Sequence, residues 1–416
     1  MGSFLSKSPQ IMFLMSGKLA IEKPLGRRFV FSLALAVFGT SMLDVLASLF
    51  LVDLSKTFLG STNLVSIAIV SQIVTISSIA AIVSGLLNGF LTVKFNHKKL
   101  MLFGAACIVI GAIGCFLAPS LLILQIFYPF DGIGTIIVGS MAFTLIGESL
   151  PLEKRARSIG LVTSGGIFSS GIGFAVAGYI AAVGGWRSYV LWYIIPISLI
   201  AFVLIYIVIP SSSRKQQVHV DKRSFLNSFK EVLLNKSAAA CLIGSLLITA
   251  AGIWSFFAAT FWRKQFLVPV QTVGLITLTV VLIYAVGSIV GGRIVDRSGR
   301  KRLVILSWAT RGVLIAAIVF MPDFWSALLM SCAATFIGGI AVTSAHSLNL
   351  EQAPKSRGTM MSLGGVFASV GASLGVSVGG IALSQSGFQL LGITFGIFGV
   401  VSAIIIYFLA KDPFKA

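Results

Sequence analysis

The stretch GGRIVDRSGRKR, residues 291–302, places one acid and several bases between two long apolar runs. Charges are scarce elsewhere, since only 10% of the 416 residues are charged and 57% are hydrophobic. A soluble domain carries about 25% charged residues. A weaker copy, NGFLTVKFNHKK, occupies residues 88–99, which lie 203 positions earlier. Two matching polar clusters in such a chain indicate a loop between membrane spans that occurs twice.

Apolar runs recur along the whole chain, and the mean hydropathy is +1.01. A run of about 18 residues or more is long enough to cross the hydrocarbon core of a bilayer as a helix. Short alternating segments, which are typical of transmembrane barrels, are absent from the sequence. We therefore predict an all-α polytopic membrane protein with twelve transmembrane helices. The predicted spans are 29–53, 63–92, 100–118, 121–147, 158–184, 189–210, 238–262, 269–292, 303–321, 324–348, 359–385 and 388–410.

The basic residues indicate the orientation of these spans. With both termini in the cytoplasm, all but five of the 31 Lys and Arg residues fall in segments on the cytoplasmic side. The exceptions are Lys56, Arg187, Arg263, Lys264 and Arg311. Such a bias is the positive-inside rule, and it predicts cytoplasmic termini. We expect an integral protein of the plasma (inner) membrane. The net charge of +19 is distributed over these loops, so we expect no nucleic-acid partner.

The longest polar connection divides the chain into two parts of similar length. We predict a cytoplasmic tail (1–28), an N-terminal six-helix bundle (29–210), a cytoplasmic linker (211–237), a C-terminal six-helix bundle (238–410) and a cytoplasmic tail (411–416). The basic first tail leads directly into a full-length span, so no cleavable signal peptide is expected. All four cysteines fall inside predicted spans, where we interpret them as core residues and not as metal ligands or disulfides.

The two parts share a sequence repeat. Glu148 precedes Glu351 by 203 positions, and Gly173 precedes Gly375 by 202. Arg155 and Arg357 share the second of these offsets. A nearly constant offset across separated segments indicates internal structural repeats, which are common in transporters.

With this loop and this repeat, the chain resembles the major facilitator superfamily. GRIVDRSGRKR is similar to the loop motif between the second and third helices of each half, and GGWRSYV (184–190) to the end of the fifth helix. The resemblance implies two pseudo-symmetric six-helix bundles, alternating access and a monomeric transporter, with no enzyme activity and no cofactor. The pattern is closest to the 12-helix drug/proton antiporter branch, although Phe174 follows Gly173 where that branch has proline.

The resemblance assigns a gating role to residues on the cytoplasmic side. They are Gly292, Asp296, Arg297, Gly299, Arg300, Lys301, Glu148, Arg155, Glu351 and Arg357. Glycine at 299 suits a tight turn, and a carboxylate at 296 can pair with basic side chains. Val93 and Asn96 occupy these two positions in the first copy, so we expect the two halves to differ in their gates.

Charged residues that lie inside spans and are not repeated are the best candidates for function, because a charge at such depth costs a few kcal/mol or more. Asp44 shares one helical face with Ser41 and Ser48. Asp131 follows Gln125 and Tyr128 in a similar polar stripe, where Pro129 should bend the helix. In the family, both helices line the central cavity. Two carboxylates facing each other would repel, so we predict that Asp44 and Asp131 bind protons and couple transport to them.

Other candidates for the substrate cavity come from the C-terminal part. Trp254 and Phe257 provide aromatic surface in the seventh span. Arg311 lies in the ninth span, and three roles are open for it. It compensates a carboxylate, it binds an anionic substrate, or carbonyl groups and water within its own bundle satisfy its hydrogen bonds. His346, near the end of the tenth span, is a possible titrating group.

Several functions remain open at this point. The leading hypothesis is proton-coupled export of small amphiphilic drugs or metabolites by an efflux antiporter in the cell membrane, with protons and membrane lipids as partners. The first alternative is proton-coupled uptake of a small organic acid, sugar or other nutrient, in which Arg311 meets a negative charge. A second alternative is translocation of a lipid-like substrate. A non-transporting membrane sensor would be a different class of protein, and such proteins usually carry an added soluble domain.

Overall fold

The computed structural model of the protein describes residues 27–40, 42–150, 152–209, 229–353 and 357–411. Every regular element in these ranges is a helix. Inside a bilayer the backbone groups of a chain must bond to one another, and a helix satisfies them within one segment. The predicted all-α class is confirmed.

The helices of the N-terminal half are joined by short connections. They are α1 (Arg27–Thr40), α2 (Met42–Leu49), α3 (Leu51–Leu59), α4 (Leu64–Lys94), α5 (His97–Leu117), α6 (Leu121–Phe127), α7 (Pro129–Ser149), α8 (Leu152–Tyr189) and α9 (Ile195–Val208). A π-helical turn, Val190–Ile194, connects α8 to α9. Residues 210–228, which contain most of the predicted linker, lie outside the described ranges.

The C-terminal half repeats this pattern after a short helix, α10 (229–234). Its other helices are α11 (Lys236–Gly252), α12 (Trp254–Gln265), α13 (Val270–Ser298), α14 (Arg300–Ile318), α15 (Phe324–Gln352) and α16 (Arg357–Leu409). Asn235 caps α11 because its side chain accepts hydrogen bonds from the backbone of Ser237 and Ala238.

Among the described residues, nine helical stretches are long and apolar enough to cross a membrane. Two of them, Ser158–Val208 and Thr359–Leu409, contain 51 residues each, about twice what one crossing requires. Each has a sharp turn in its middle. In addition, α14 has 19 residues, and its basic residues lower its hydropathy. The arrangement is consistent with the predicted twelve crossings.

The turns inside the two longest stretches confirm the repeat. Gly185 has φ 73° and Gly387 has φ 70°, and the two glycines lie 202 positions apart. A backbone with positive φ is costly for residues with a Cβ atom, so glycine is suited to both turns. A second pair of matching features is the break at Phe50, between α2 and α3, and the break at Ile253, between α11 and α12, 203 positions apart.

One break has no counterpart. α6 ends at Phe127 and α7 begins at Pro129, whereas α15 continues through the matching region without interruption. Proline lacks the backbone N–H that a helix interior needs, so the helix restarts with Pro129 in its first turn. The predicted bend at Pro129 is therefore found, and it belongs to the N-terminal half alone.

Matching lysine–tyrosine contacts define one side of the protein. Lys98 Nζ lies 5.5 Å from the ring centroid of Tyr206, and Lys301 Nζ lies 6.0 Å from that of Tyr407. In each half the contact links the start of the third span to the end of the last one, as a cation over an aromatic face. We call this the basic side, and the opposite side, with the turns at Gly185 and Gly387, the far side.

The buried core shows how the two halves meet. The largest cluster combines Leu46 and Tyr189 of the N-terminal half with Phe257 and Phe388 of the C-terminal half. Two smaller clusters lie towards the basic side, and each contains described residues of one half only. The halves thus share a core on the far side, whereas towards the basic side each described cluster belongs to one half.

Glycines allow close packing between α13 and α15. A Cβ atom at Gly291 would lie 2.7 Å from the Cα atom of Ile340. A Cβ atom at Gly339 would overlap the carbonyl oxygen of Tyr284. Small residues at such contacts let helix backbones approach closely, which is the main source of helix association in lipid.

We expect Gly339→Ala to destabilise the protein, because the added methyl group meets backbone atoms that cannot move independently. Overpacking of this kind costs about 1–3 kcal/mol, so the melting temperature of the purified protein in detergent should fall. Gly365→Ala is the matched control, since a Cβ atom there has no neighbour within 4 Å. Equal melting temperatures for the two variants would contradict the packing described here.

Candidate functional site

Two carboxylates meet in the middle of the N-terminal half. Asp44 lies in α2, and Asp131 lies in the first turn of α7, where the helix dipole favours a negative charge. The two side chains are close enough for their charges to interact. In the part of the chain that the structure describes, neither takes part in an ion pair. The structure therefore brings together the two acids that the sequence singled out.

The two acids differ in accessibility. The side chain of Asp44 is exposed, although Leu43 and Val45 on either side of it are buried. Asp131 is only 2% exposed, and its Oδ1 accepts no hydrogen bond from the described residues. Asp44 thus lies on an accessible surface inside the bundle, and Asp131 lies behind it.

Tyr128 connects the helices that carry these acids. Its hydroxyl donates a hydrogen bond of 3.1 Å to the carbonyl oxygen of Leu43, and its side chain is close to both Asp44 and Asp131. The sequence placed Tyr128 on the cavity surface, but the structure buries it completely. Its hydroxyl is used to join α6 to α2, which explains why it does not face the cavity.

Three other predicted cavity residues are buried in this conformation. Ser48 donates a 3.2 Å hydrogen bond to the carbonyl oxygen of Phe256, across the contact between the two halves. Phe257 packs against Phe395, with ring centroids 6.2 Å apart. Trp254 is 5% exposed, and its Nε1 has no acceptor among the described residues. These side chains close the far side instead of lining an open cavity.

The remaining cavity candidates are placed as follows. Gln125 is partly buried in α6, and His346 is exposed in α15 near its end on the basic side. Ser41 lies outside the described residues. The structure does not bring His346 to the carboxylate pair.

Arg311 extends into the interior of the C-terminal half. Its guanidinium lies beside Gly252 of α11 and Gly338 of α15, and it interacts electrostatically with Tyr284 of α13. It is half-buried, and no ion pair to it is found among the residues that the structure describes. No carboxylate in the described ranges compensates Arg311. Binding of an anionic substrate and satisfaction within its own bundle stay predictions.

The predicted gate residues on the basic side form contacts within the C-terminal half. Arg300 Nη1 lies 2.6 Å from Glu351 Oε1. Lys301 Nζ donates to the carbonyl oxygens of Tyr407 at 2.9 Å and Ala410 at 2.7 Å, where a cation is favourable at the end of α16. Gly299 has φ 79°, as a tight turn between α13 and α14 requires. These contacts hold α14, α15 and α16 together.

The other gate residues add less. Gly292 is partly buried, with Thr343 near its Cα atom. The side chains of Asp296, Arg297, Glu148, Arg155 and Arg357 lie outside the described residues. Their predicted role in gating stays a prediction.

An ion pair on the far side was not anticipated from the sequence. Arg263 Nη1 and Nη2 lie 2.5 and 3.0 Å from the two carboxylate oxygens of Asp53, and Nη1 also donates to the carbonyl oxygen of Leu49. The bond joins α3 of one half to α12 of the other. A sequence signal was present, since Asp53 and Arg263 are unlike charges at the same membrane edge, but their pairing depends on how the halves dock.

Trp262 precedes Arg263 and Lys264 at the end of α12, a pattern that is typical of an anchor at the membrane interface. It is instead 2% exposed, and its ring packs against Phe266 and Phe324. The aromatic residues at the end of α12 therefore form core on the far side.

Taken together, two helical halves related by a repeat, a shared core on one side and charged side chains within the spans are the features of a polytopic transporter. The chain belongs to the Major Facilitator Superfamily, whose sequence profile matches residues 29–266 and 241–416. Proteins of this family are transporters and not enzymes, and the chain is an integral membrane protein.

Relatives and solved structures of this family agree with the fold. The chain is 23% identical over 288 residues to an uncharacterized MFS-type transporter, YceJ, of Bacillus subtilis, covering 69% of this chain and 73% of YceJ. It is 22% identical over 387 residues to a probable sugar efflux transporter of Helicobacter pylori, covering 90% and 93%. The crystal structure of a D-xylose-proton symporter superimposes with a TM-score of 0.78 at 17% identity, covering 93% and 98% of the two chains.

We expect Asp53→Asn to weaken closure of the far side, because it removes a bidentate charged bond between the halves. A partly exposed pair of this kind contributes about 1 kcal/mol, which shifts a two-state equilibrium about fivefold. Spin labels at Val183→Cys and Leu267→Cys, which are 93% and 82% exposed, report the separation of the halves in a variant without the native cysteines. The population with a long distance should increase.

Asp323→Asn is the matched control for this measurement. The backbone N–H and then the hydroxyl of Ser326 hold the pKa of the Asp323 carboxyl below its usual value, so it is charged at neutral pH. It caps only its own helix, and asparagine caps equally well. Distance distributions that are the same in Asp53→Asn and in the parent would show that the ion pair does not hold the halves together.

Proposed function

We propose that this protein is a proton-coupled transporter that exports small amphiphilic metabolites or drugs by alternating access. The observation that carries the proposal is the pair formed by exposed Asp44 and buried Asp131, two neighbouring acids with no ion-pair partner among the described residues. Two negative charges in the interior of a membrane protein repel each other, and a bound proton removes the repulsion. Asp44 is the member of the pair that a proton can reach.

The arrangement of α2 links this site to the closure of the far side. Asp44 and Ser48 lie on the same helix, about one turn apart. Ser48 contacts Phe256 of the other half, and Asp53 binds Arg263 beyond it. We infer that a change of charge at Asp44 alters the position of α2, and with it the contacts that keep the far side closed.

The orientation is part of the proposal. The separation of the cores towards the basic side supports an opening on that side, and the positive-inside rule assigns the basic side to the cytoplasm. A solute would then enter from the cytoplasm and leave after the halves rock to the other arrangement, as in other transporters with internal repeats. We propose the plasma (inner) membrane as its location, and a monomer as the functional unit.

The direction of export is supported by the name of one relative, the probable sugar efflux transporter of Helicobacter pylori. Uptake together with protons is the second candidate. It remains open because the name of a relative does not fix the direction of transport in this chain, and Arg311, which has no ion-pair partner among the described residues, could meet an organic acid moved in either direction. The two candidates share the proton site and differ in the direction of proton movement.

A proteoliposome experiment tests the proton site. The purified protein is reconstituted with an internal pH dye, and panels of organic cations, acids, sugars and lipids are added outside. We expect at least one panel to move protons, and we expect Asp44→Asn and Asp131→Asn to reduce this movement to the leak of empty liposomes. Exchange of labelled solute across the membrane without a pH gradient should persist in Asp44→Asn, since it requires no net proton transfer.

Controls and outcomes are distinct for each part of the proposal. Asp323→Asn removes a carboxylate at the membrane edge and should leave proton movement unchanged. Protons leaving the lumen as solute enters would establish antiport, and movement of both in one direction would establish uptake. Proton-driven transport that survives both Asp44→Asn and Asp131→Asn would refute the coupling role of the pair.

A further inference from the structure

Arg311 occupies a place that only glycines make available. A Cβ atom at Gly338 would lie 3.0 Å from its Nε, and one at Gly252 would lie 3.3 Å from its Nη2. Gly252 immediately precedes the break between α11 and α12. The guanidinium therefore reaches from α14 to Gly252 of α11 and Gly338 of α15, two helices of the same half.

A cation at this depth needs an anion or a polar partner, because an uncompensated charge in the membrane interior is costly. Tyr284 is the titratable group whose interaction with Arg311 is evident, and a neutral phenol supplies no charge. No carboxylate of the described residues pairs with Arg311. The half-buried guanidinium thus has no carboxylate partner among the described residues, and its charge is available to an anionic ligand.

A second donor lies at the same break. Trp254 follows Gly252 by two residues, and its indole Nε1–H is buried without an acceptor among the described residues. Buried donors usually have a partner in protein or water. Two unsatisfied donor groups, one of them charged, are thus found where α11 gives way to α12.

Charges of opposite sign lie inside the two halves. Arg311 lies near the middle of α14 in the C-terminal half, and Asp44 lies in α2 of the N-terminal half, on the far-side part of its span. An arginine fork matches the geometry of a carboxylate or phosphate, to which it can donate two parallel hydrogen bonds.

We propose that Arg311 binds the anionic group of the transported solute, so that the substrates are small organic anions of the carboxylate class. This inference rests on the proposed function in one respect, that the chain carries solutes between its two halves. Gly252 and Gly338 are positioning residues, since they leave room for the guanidinium. The carboxylate pair in the other half would then handle the proton, and Arg311 the solute.

The first test measures binding to the purified protein in detergent by titration calorimetry. Benzoate, benzamide and benzylamine have similar shapes and are anionic, neutral and cationic at neutral pH. We expect benzoate to bind more tightly than the other two. Arg311→Met should weaken benzoate binding by roughly tenfold or more, and Arg311→Lys should weaken it less, because the charge remains and the fork is lost. Arg302→Met, on the exposed surface of the same helix, is the matched control.

A second variant keeps the arginine and moves it. Gly338→Ala places a methyl group against Nε, and the flexible side chain has to shift. We expect benzoate binding to weaken while the melting temperature stays near that of the parent. Gly139→Ala, where a Cβ atom has no neighbour within 4 Å, should change neither quantity. This pair keeps the proposal testable should Arg311→Met fail to fold.

The outcomes separate this inference from the proton site. Benzoate binding that is equal in Arg311→Met and the parent would overturn the inference, as would a parent protein that binds neither benzoate nor the dicarboxylate adipate. Binding in detergent involves no proton gradient, so loss of proton coupling in Asp44→Asn with intact benzoate binding would leave the anion site standing. A further outcome is that Arg311→Met loses benzoate binding while proton-driven transport survives in both Asp44→Asn and Asp131→Asn. That combination would refute the proton site and leave the anion site standing.

Discussion

Contact between the two halves on the far side determines which surfaces of this protein are buried and which are open. Bidentate binding of Asp53 by Arg263, the bond from Ser48 to Phe256 and the shared apolar core all lie on this side. The apolar side chains form the shared core, while the bond between Asp53 and Arg263 joins α3 to α12. Residues that would line a cavity in another arrangement of the halves are covered in this one. Asp44 stays accessible because it lies on the basic-side flank of the contact.

The pseudo-symmetry of the chain separates its scaffold from its chemistry. Turns at Gly185 and Gly387, breaks at Phe50 and Ile253, and lysine–tyrosine contacts on the basic side occur in both halves. The charged groups at mid-depth do not. In the repeat, Asp44 and Asp131 correspond to apolar residues of the second half, and the break before Pro129 likewise has no counterpart there. A bundle that repeats its packing but not its charges can bind different species in its two halves.

The sequence predicted the helical class, the repeat and the carboxylate pair for physical reasons that are local. Apolar length identifies a span, and a charge within a span is rare enough to stand out on its own. Tyr128, Ser48 and Phe257 were assigned to the cavity but are buried in this conformation, because helical periodicity identifies the face of a helix and not the residues that pack against it. Each of these side chains found a partner on a helix far away in sequence, at Leu43, Phe256 and Phe395 respectively.

By itself the sequence determined the apolar character of the spans, the place of the two tight turns and which charges lie within spans, since hydropathy, glycine and proline act within a few residues. Only the tertiary structure decided that Asp53 binds Arg263, that Trp262 lies in the core and that Arg311 reaches past two glycines into its bundle. These contacts join residues brought together by the docking of helices. That docking depends on shape complementarity over whole helix surfaces, which no local pattern records.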